Sequence, residues 1–176
     1  MTTILLVLGG ITIVFLFLIL IAPKTYDVFR TIEVHKPKTT VFEYLKYLEK
    51  QQEWSPWAKK DPDRKTKLTG TDGTVGAVHY WNGNKEVGEG EQEITNIIEG
   101  EKVEGELRFF KPFTSTSNCY LIVEEAANKS SKVTWGFSGK NKFPMTILSL
   151  FMSMDKMVGK DFESGLKDLK LILETK

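Results

Sequence analysis

Two histidines and one cysteine are the main resources for nucleophilic or metal chemistry in this chain of 176 residues. One cysteine excludes an intrachain disulfide and a thiolate-rich metal site. Two histidines, His35 and His79, leave little for a multi-histidine metal centre. His79 shares a strand face with Ala77 and Trp81, which makes it the weak candidate for a general base in an apolar interior. The ordinary reading, a hydrogen-bonded histidine on a strand, weighs against that role. Cys119 lies mid-strand among Ser117, Tyr120 and Leu121, and without an identifiable base it reads as a buried, inert thiol. Asp155 reads as a helix cap, Asp161 as a solvated surface acid, and Asp61 and Asp63 beside Pro62 as turn residues. There is no Gly-rich phosphate loop and no triad pattern. No cofactor and no metal are expected, and the chain reads as a binder rather than an enzyme. Lys and Arg number 24 against 23 Asp and Glu, a formal +1. That balance argues against a nucleic-acid partner held by a broad basic field.

The elements that must position such residues begin with a run of a different kind. Residues 4–22, ILLVLGGITIVFLFLILIA, carry no charge over 19 positions. As a helix they would be about 28 Å long at about 1.5 Å per residue, close to the roughly 30 Å hydrocarbon core. A cleaved signal peptide is the alternative. Against it stand an n-region of only Met1-Thr2-Thr3, the length of the apolar run, and the lack of a small-x-small cleavage site. The expectation is an uncleaved transmembrane anchor, so that the membrane itself is a partner through residues 4–22. Lys24, Arg30, Lys36 and Lys38 follow within 16 residues, while the N-terminal flank has no Lys or Arg. The positive-inside rule then predicts a single-pass membrane protein with its domain on the cytoplasmic side. Asn128-Lys129-Ser130 fits a glycosylation sequon, a short pattern that would matter only on a secretory surface.

After Pro23-Lys24 one domain is expected, with no Gly/Ser linker and no repeat. Residues 26–35 alternate as a strand. Thr39 or Thr40 is placed to cap a helix carrying Val41, Phe42, Leu45 and Leu48. A short helix and a loop follow through Trp54, Pro56 and Trp57. Strand-like runs then cover 66–69, 75–81, 86–98, 102–111, 115–125 and 132–138, separated by turn chemistry. Short connections make neighbours antiparallel. Residues 144–151 read as a shorter apolar helical turn. Phe151, Met154, Val158, Phe162, Leu166, Leu169 and Leu173 then recur at helical spacing. The fold class is α+β: a curved antiparallel sheet of about seven strands gripping one long C-terminal helix.

Alternation also assigns faces. Val103, Gly105, Leu107 and Phe109 point inward in one strand, and Val133, Trp135 and Phe137 in another. Ala77, His79 and Trp81 share a face whose side is less decided. In 86–98, Gly88, Gly90, Gln92 and Ile94 oppose Glu89, Glu91 and Glu93, and the acidic face reads as solvated. Glycine within a strand marks a bend or close approach, so Gly88, Gly90 and Gly105 suggest a sheet bent around a space. Trp81, Phe109, Trp135 and Phe137 from the sheet, with Met154, Met157 and Phe162 from the helix, would line it. The competing reading is that these side chains simply fill a packed core.

Several motifs together carry a resemblance. They are Thr40-Val41-Phe42-Glu43-Tyr44-Leu45, Trp54-Ser55-Pro56-Trp57, Asp61-Pro62, Val75-Gly76-Ala77 and Trp81-Asn82-Gly83-Asn84. Val87-Gly88-Glu89-Gly90, Lys132-Val133-Thr134-Trp135, Phe143-Pro144-Met145 and the run from Met154 to Glu163 complete the set. Residues 25–176 resemble the START-like, or SRPBCC, superfamily of polyketide cyclase/dehydrase and lipid-transport proteins, and within it bacterial members with a membrane anchor. The resemblance implies the helix-grip fold, with a cavity between sheet and C-terminal helix. Members bind lipids, hormones or polyketides, and only some are enzymes. Three functions are therefore carried forward. The first is a membrane-tethered binding protein for a hydrophobic small molecule or lipid. The second is a cyclase- or dehydratase-type enzyme on an apolar substrate, and the third a protein-interaction module that uses the outer sheet face or the Trp54–Trp57 loop.

Overall fold

Helix α1 (Thr2–Ile21) leads into strand β1 (Thr25–Val34) and three short helices, α2 (Lys38–Leu45), α3 (Leu48–Trp54) and α4 (Pro56–Lys60). A meander follows: β2 (Lys65–Thr69), β3 (Val78–Asn82), β4 (Glu89–Ile98), β5 (Lys102–Lys111), β6 (Ser115–Glu125) and β7 (Ser131–Lys140). Helices α5 (Met145–Leu148) and α6 (Met154–Thr175) end the chain. The structure is a computed structural model that describes residues 2–141 and 145–175, the side chains of Thr2, Leu5 and Met145 excepted. The motif residues Phe143 and Pro144 lie outside the described residues. One seven-stranded antiparallel sheet runs in the order β1-β7-β6-β5-β4-β3-β2. The two edges, β1 and β2, are joined through α2–α4.

The expected alternation is present. Val103 and Gly105 are buried on β5, while Leu107 and Phe109 face the interior. Ala77 and His79 are both buried, which settles the inner face of that segment. On the outer face the β4 acids are more than solvated. Arg108 pairs with Glu91 at 2.6 Å and with Glu93 and Glu106 at 2.7 Å. Strand β4 shifts register between Glu89 and Gly90 and again between Ile94 and Asn96, and bulges of this kind bend a sheet.

Helix α6 lies across β1 and β7. Its C-terminal half buries Leu166, Leu169 and Leu173 in a continuous core with Val34, Leu45, Leu48, Val123 and Val133. Its N-terminal half contributes Phe162 to a smaller cluster with Val28, Cys119 and Phe137. Gly165 marks the closest approach: a Cβ there would stand 2.7 Å from Trp135 Cζ3 and 3.0 Å from Pro56 Cδ. Asp155 lies inside the first turn of α6 and serves as an ion-pair partner rather than a cap: Arg30 of β1 binds it at 2.7 Å and Glu163 at 2.8 Å. Asp161 pairs with Lys60 of α4 at 2.8 Å.

Two helix starts differ from the sequence expectation. Helix α2 begins at Lys38 after Pro37, and neither Thr39 nor Thr40 caps it. Leu48 opens a separate helix, α3, whose own N-cap Tyr47 supplies no side-chain bond. Asp72 does so from the β2–β3 loop, accepting from the Leu48 N–H at 2.8 Å and the Glu49 N–H at 3.1 Å. It also accepts from the Gly73 N–H at 2.8 Å. Asp72→Ala therefore strands two helix-terminal donors, and a loss of about 1–2 kcal/mol is expected. Urea unfolding of the two proteins measures it, and an unchanged midpoint would remove the capping role.

The membrane expectation requires correction. Residues Thr2–Ile21 form a helix without charge, and its apolar side chains stand largely exposed. Yet no helix among the described residues is long and apolar enough to cross a membrane. The transmembrane anchor at 4–22, the single-pass location, the cytoplasmic side and the membrane as a partner are thus not supported.

Candidate functional site

Sheet and helix pack continuously along the C-terminal half of α6, whereas along its N-terminal half their contacts at Phe162 and Arg30 leave a space beside them. Between the N-terminal half of α6 and the curved sheet is a cavity of about 310 Å³. Trp81, Phe109, Trp135 and Phe137 face it from β3, β5 and β7, with Leu107 and Cys119 between them. Helix α6 contributes Val158 and Phe162, and α4 contributes Trp57 and Ala58. Phe162 stacks on Trp135 with ring centroids 4.3 Å apart, and Trp57 meets both rings edge-on at 5.7 and 5.8 Å. Trp81 and Phe109 form a second edge-to-face pair at 5.9 Å. The exposed part of the wall is Glu86, Lys111 and Pro112, which marks the mouth.

Of the residues proposed from sequence, Trp81, Phe109, Trp135, Phe137 and Phe162 stand on this wall. Gly88, Gly90 and Gly105 do not, and they leave no open volume. A Cβ on Gly90 would stand 2.7 Å from Trp81 Cζ2, so this glycine seats the tryptophan ring. A Cβ on Gly105 would stand 2.6 Å from the Glu93 carbonyl oxygen. Gly88 adopts φ +70° beside the Lys111 carbonyl. Met154 packs on the Phe137–Phe162 cluster off the wall, and Met157 is half exposed. Helical geometry explains both. Val158 and Phe162 are one turn apart on the cavity face; Met154 is a turn beyond it, and Met157 is rotated off it.

Sequence reasoning missed the polar end of the cavity. Gln51 and Gln52 of α3, Gln92 of β4 and Arg64 of the α4–β2 loop all line it beside His79. Gln51 donates to the Leu45 carbonyl at 3.3 Å and accepts from Gln92 Nε2 at 3.1 Å. Gln92 could have been found, since it shares the inner face with Gly90 and Ile94. Arg64 lies outside any periodic element and gives no such signal. Trp54, also on the wall, is 1% exposed, and its Nε1 donor has no acceptor among the described residues, a local cost at the cavity edge.

His79 is 2% exposed. Burial pushes its pKa down, the Arg64 charge adds to this, and Glu49 and Asp72 act in the opposite direction. The folded state thus favours the neutral imidazole. An unfolded histidine binds its proton near pH 6.5, so stability is full above that pH and falls as pH drops below it. Urea unfolding at pH 7.5 and 5.5 is expected to show a larger loss for the wild type than for His79→Gln; equal losses would refute the assignment. Burial pushes the Cys119 thiol up to about 12, so it is protonated at neutral pH and a poor nucleophile. No group of three or more His, Cys, Asp or Glu among the described residues is placed to hold a metal ion.

No protein-family model matches the chain, and no curated protein matches it in sequence. Solved structures do match. A protein from Nitrosospira multiformis superposes with a TM-score of 0.60 at 17% identity, over 83% of this chain and 94% of that one. The Aha1 dimer protein from Colwellia psychrerythraea gives 0.58 at 13% identity, over 85% and 96%. The ginseng major latex-like protein 151 from Panax ginseng gives 0.56 at 14% identity, over 85% and 97%. The chain shares with these proteins a helix-grip fold. At these identities the likeness concerns the fold alone. In the helix-grip the long helix closes one side of a curved sheet. Here α6 seals it at the Leu166–Leu173 end and leaves it open at the Val158–Phe162 end.

Proposed function

We propose that this protein binds a hydrophobic small molecule or lipid in the cavity between the sheet and α6, as a carrier or sensor rather than as an enzyme. The observation that carries the reading is the unfilled, aromatic-walled space of about 310 Å³. Small-molecule sites start at roughly 300 Å³ and are mainly apolar, with a few placed polar groups. This cavity has that composition, with seven tryptophan and phenylalanine side chains and one polar end. A protein interior is otherwise close-packed, so a void of this size is expected to have an occupant. The START-like resemblance supports the same reading. The test is native mass spectrometry and organic extraction of the purified full chain, with titration by the apolar fluorophore ANS. One bound molecule per chain is expected. No extractable ligand and no saturable ANS uptake would overturn the proposal.

A second reading, a cyclase- or dehydratase-type enzyme, is favoured by one observation: His79 presents a buried imidazole to the cavity wall. Turnover of a candidate substrate that survives His79→Ala would remove histidine from that chemistry. The interaction-module reading has less support at the Trp54–Trp57 loop. Trp54 is buried and Trp57 lines the cavity, so neither supplies an exposed patch.

A further inference from the structure

We infer that the ligand is an amphipathic carboxylate, its apolar body against the aromatic wall and its carboxylate on Arg64. This inference rests on the binding function proposed above and adds the chemistry of the head group. Arg30, Arg64 and Arg108 are the arginines of the chain. Arg30 pairs with Asp155 and Glu163, and Arg108 with Glu91, Glu93 and Glu106. Arg64 alone has no carboxylate within ion-pair distance among the described residues, and it is the arginine on the cavity wall.

Its hydrogen bonds sharpen the point. Nη1 donates to the Ala58 and Asp61 carbonyls at 2.9 and 3.0 Å, and Nη2 donates to Gln52 Oε1 at 2.9 Å. A guanidinium has five N–H donors. The Nε–H and the second Nη2–H are left without a protein acceptor among the described residues. Nε and Nη2 share one edge of the planar group, the edge with which arginine takes a carboxylate in a two-bond pair. The carboxylate of Asp61 attracts Arg64 from a distance, but its Oδ2 accepts from the Asn84 N–H at 2.6 Å. The other polar groups at this end, Gln51, Gln52 and Gln92, carry no charge and His79 favours its neutral form, while the acid on the wall, Glu86, stands at the exposed mouth. A guanidinium that is charged, partly desolvated and unpaired favours an anion in the adjoining space. The rings across the cavity favour a hydrocarbon there. One molecule that satisfies both is a carboxylate with an apolar tail.

Calorimetric titration of the full chain with decanoate and 1-decanol tests this. Decanoate is expected to bind at least about tenfold more tightly than 1-decanol to the wild type. Arg64→Gln is expected to remove that preference while 1-decanol binding stays the same. Decanol binding as tightly as decanoate would overturn the head-group assignment and leave the apolar cavity reading intact. Failure of both to bind would overturn the cavity reading itself. The wild-type ratio decides the matter even where Arg64→Gln does not fold. A preference that persists in a folded Arg64→Gln protein would refute the role of Arg64.

Discussion

Phe162→Ala is expected to destabilise the protein by about 3–5 kcal/mol, the usual cost of removing a buried aromatic ring. The ring is 4% exposed and belongs to the cluster that joins α6 to the sheet. It stacks on Trp135 at 4.3 Å, and Trp57 and Phe137 stand edge-on to it at 5.8 and 5.6 Å. Such pairs add to simple area burial. The location increases the cost further. A truncated side chain in a solid core is partly compensated when its neighbours relax into the gap. Here the gap would merge with the existing cavity of about 310 Å³, and the sheet and helix on either side are held by the core at the Leu166–Leu173 end. Thermal unfolding is expected to shift by roughly 6–20 °C, at roughly 2–4 °C per kcal/mol for a chain of this size. Phe162→Leu, which keeps most of the apolar volume, is expected to cost clearly less. A shift under about 2 °C for the alanine variant would mean that Phe162 does not hold helix and sheet together.

Phe162 also illustrates how far the sequence could be read. Its place in the series Val158, Phe162, Leu166, Leu169 put it on the inner face of a long helix, and the inward sets of β5 and β7 followed from strict alternation. These patterns arise because burial acts on every second strand residue and on every third or fourth helix residue. What periodicity cannot give is depth. The interior of this fold is both packed core and cavity, at opposite ends of α6, and the inward residues look alike at both ends. The glycines misled for a related reason. A missing side chain reads as free volume, but Gly90 accommodates the Trp81 ring and Gly105 accommodates the Glu93 carbonyl and Cys119. Residue type suggests Met154 and Met157 for the wall, but Met154 lies one turn beyond the cavity along α6 and Met157 is rotated off its face. Arg64 escaped because it is fixed in an aperiodic loop, by the nearby Ala58 and Asp61 carbonyls and by Gln52 of α3. The same is true of Asp72, which reads as a turn residue and caps a helix 23 positions away. The apolar run at the N-terminus was legible as a helix, and a bilayer span was one step more than the described helix supports.

Leu107→Trp is expected to abolish uptake of apolar ligands while leaving the fold in place. Leu107 lies on the central strand β5, half-buried, beside Phe109 and facing the cavity. Its cross-strand neighbours are Gln92 on β4 and Ser117 on β6, so a larger side chain at 107 has the cavity ahead of it rather than a packed layer. Adding an indole to a full core would force rotamers and backbone apart at about 1–3 kcal/mol. Adding it to open space removes apolar surface from contact with water and costs little, so the midpoint of unfolding is expected to stay within about 1 kcal/mol of wild type. The two measurements together separate the alternatives that sequence left open. A cavity that takes ligand predicts unchanged stability with at least about a tenfold loss of ANS or 1-decanol affinity, more than about 1.4 kcal/mol of binding. A packed interior predicts the opposite pair, a clear fall in stability with no binding to lose. Arg64 is on the polar wall and is untouched by this change, so decanoate affinity should fall with that of 1-decanol. The tail and the head would then act as one ligand in one site, with the aromatic wall supplying most of the contact area and the guanidinium fixing its direction.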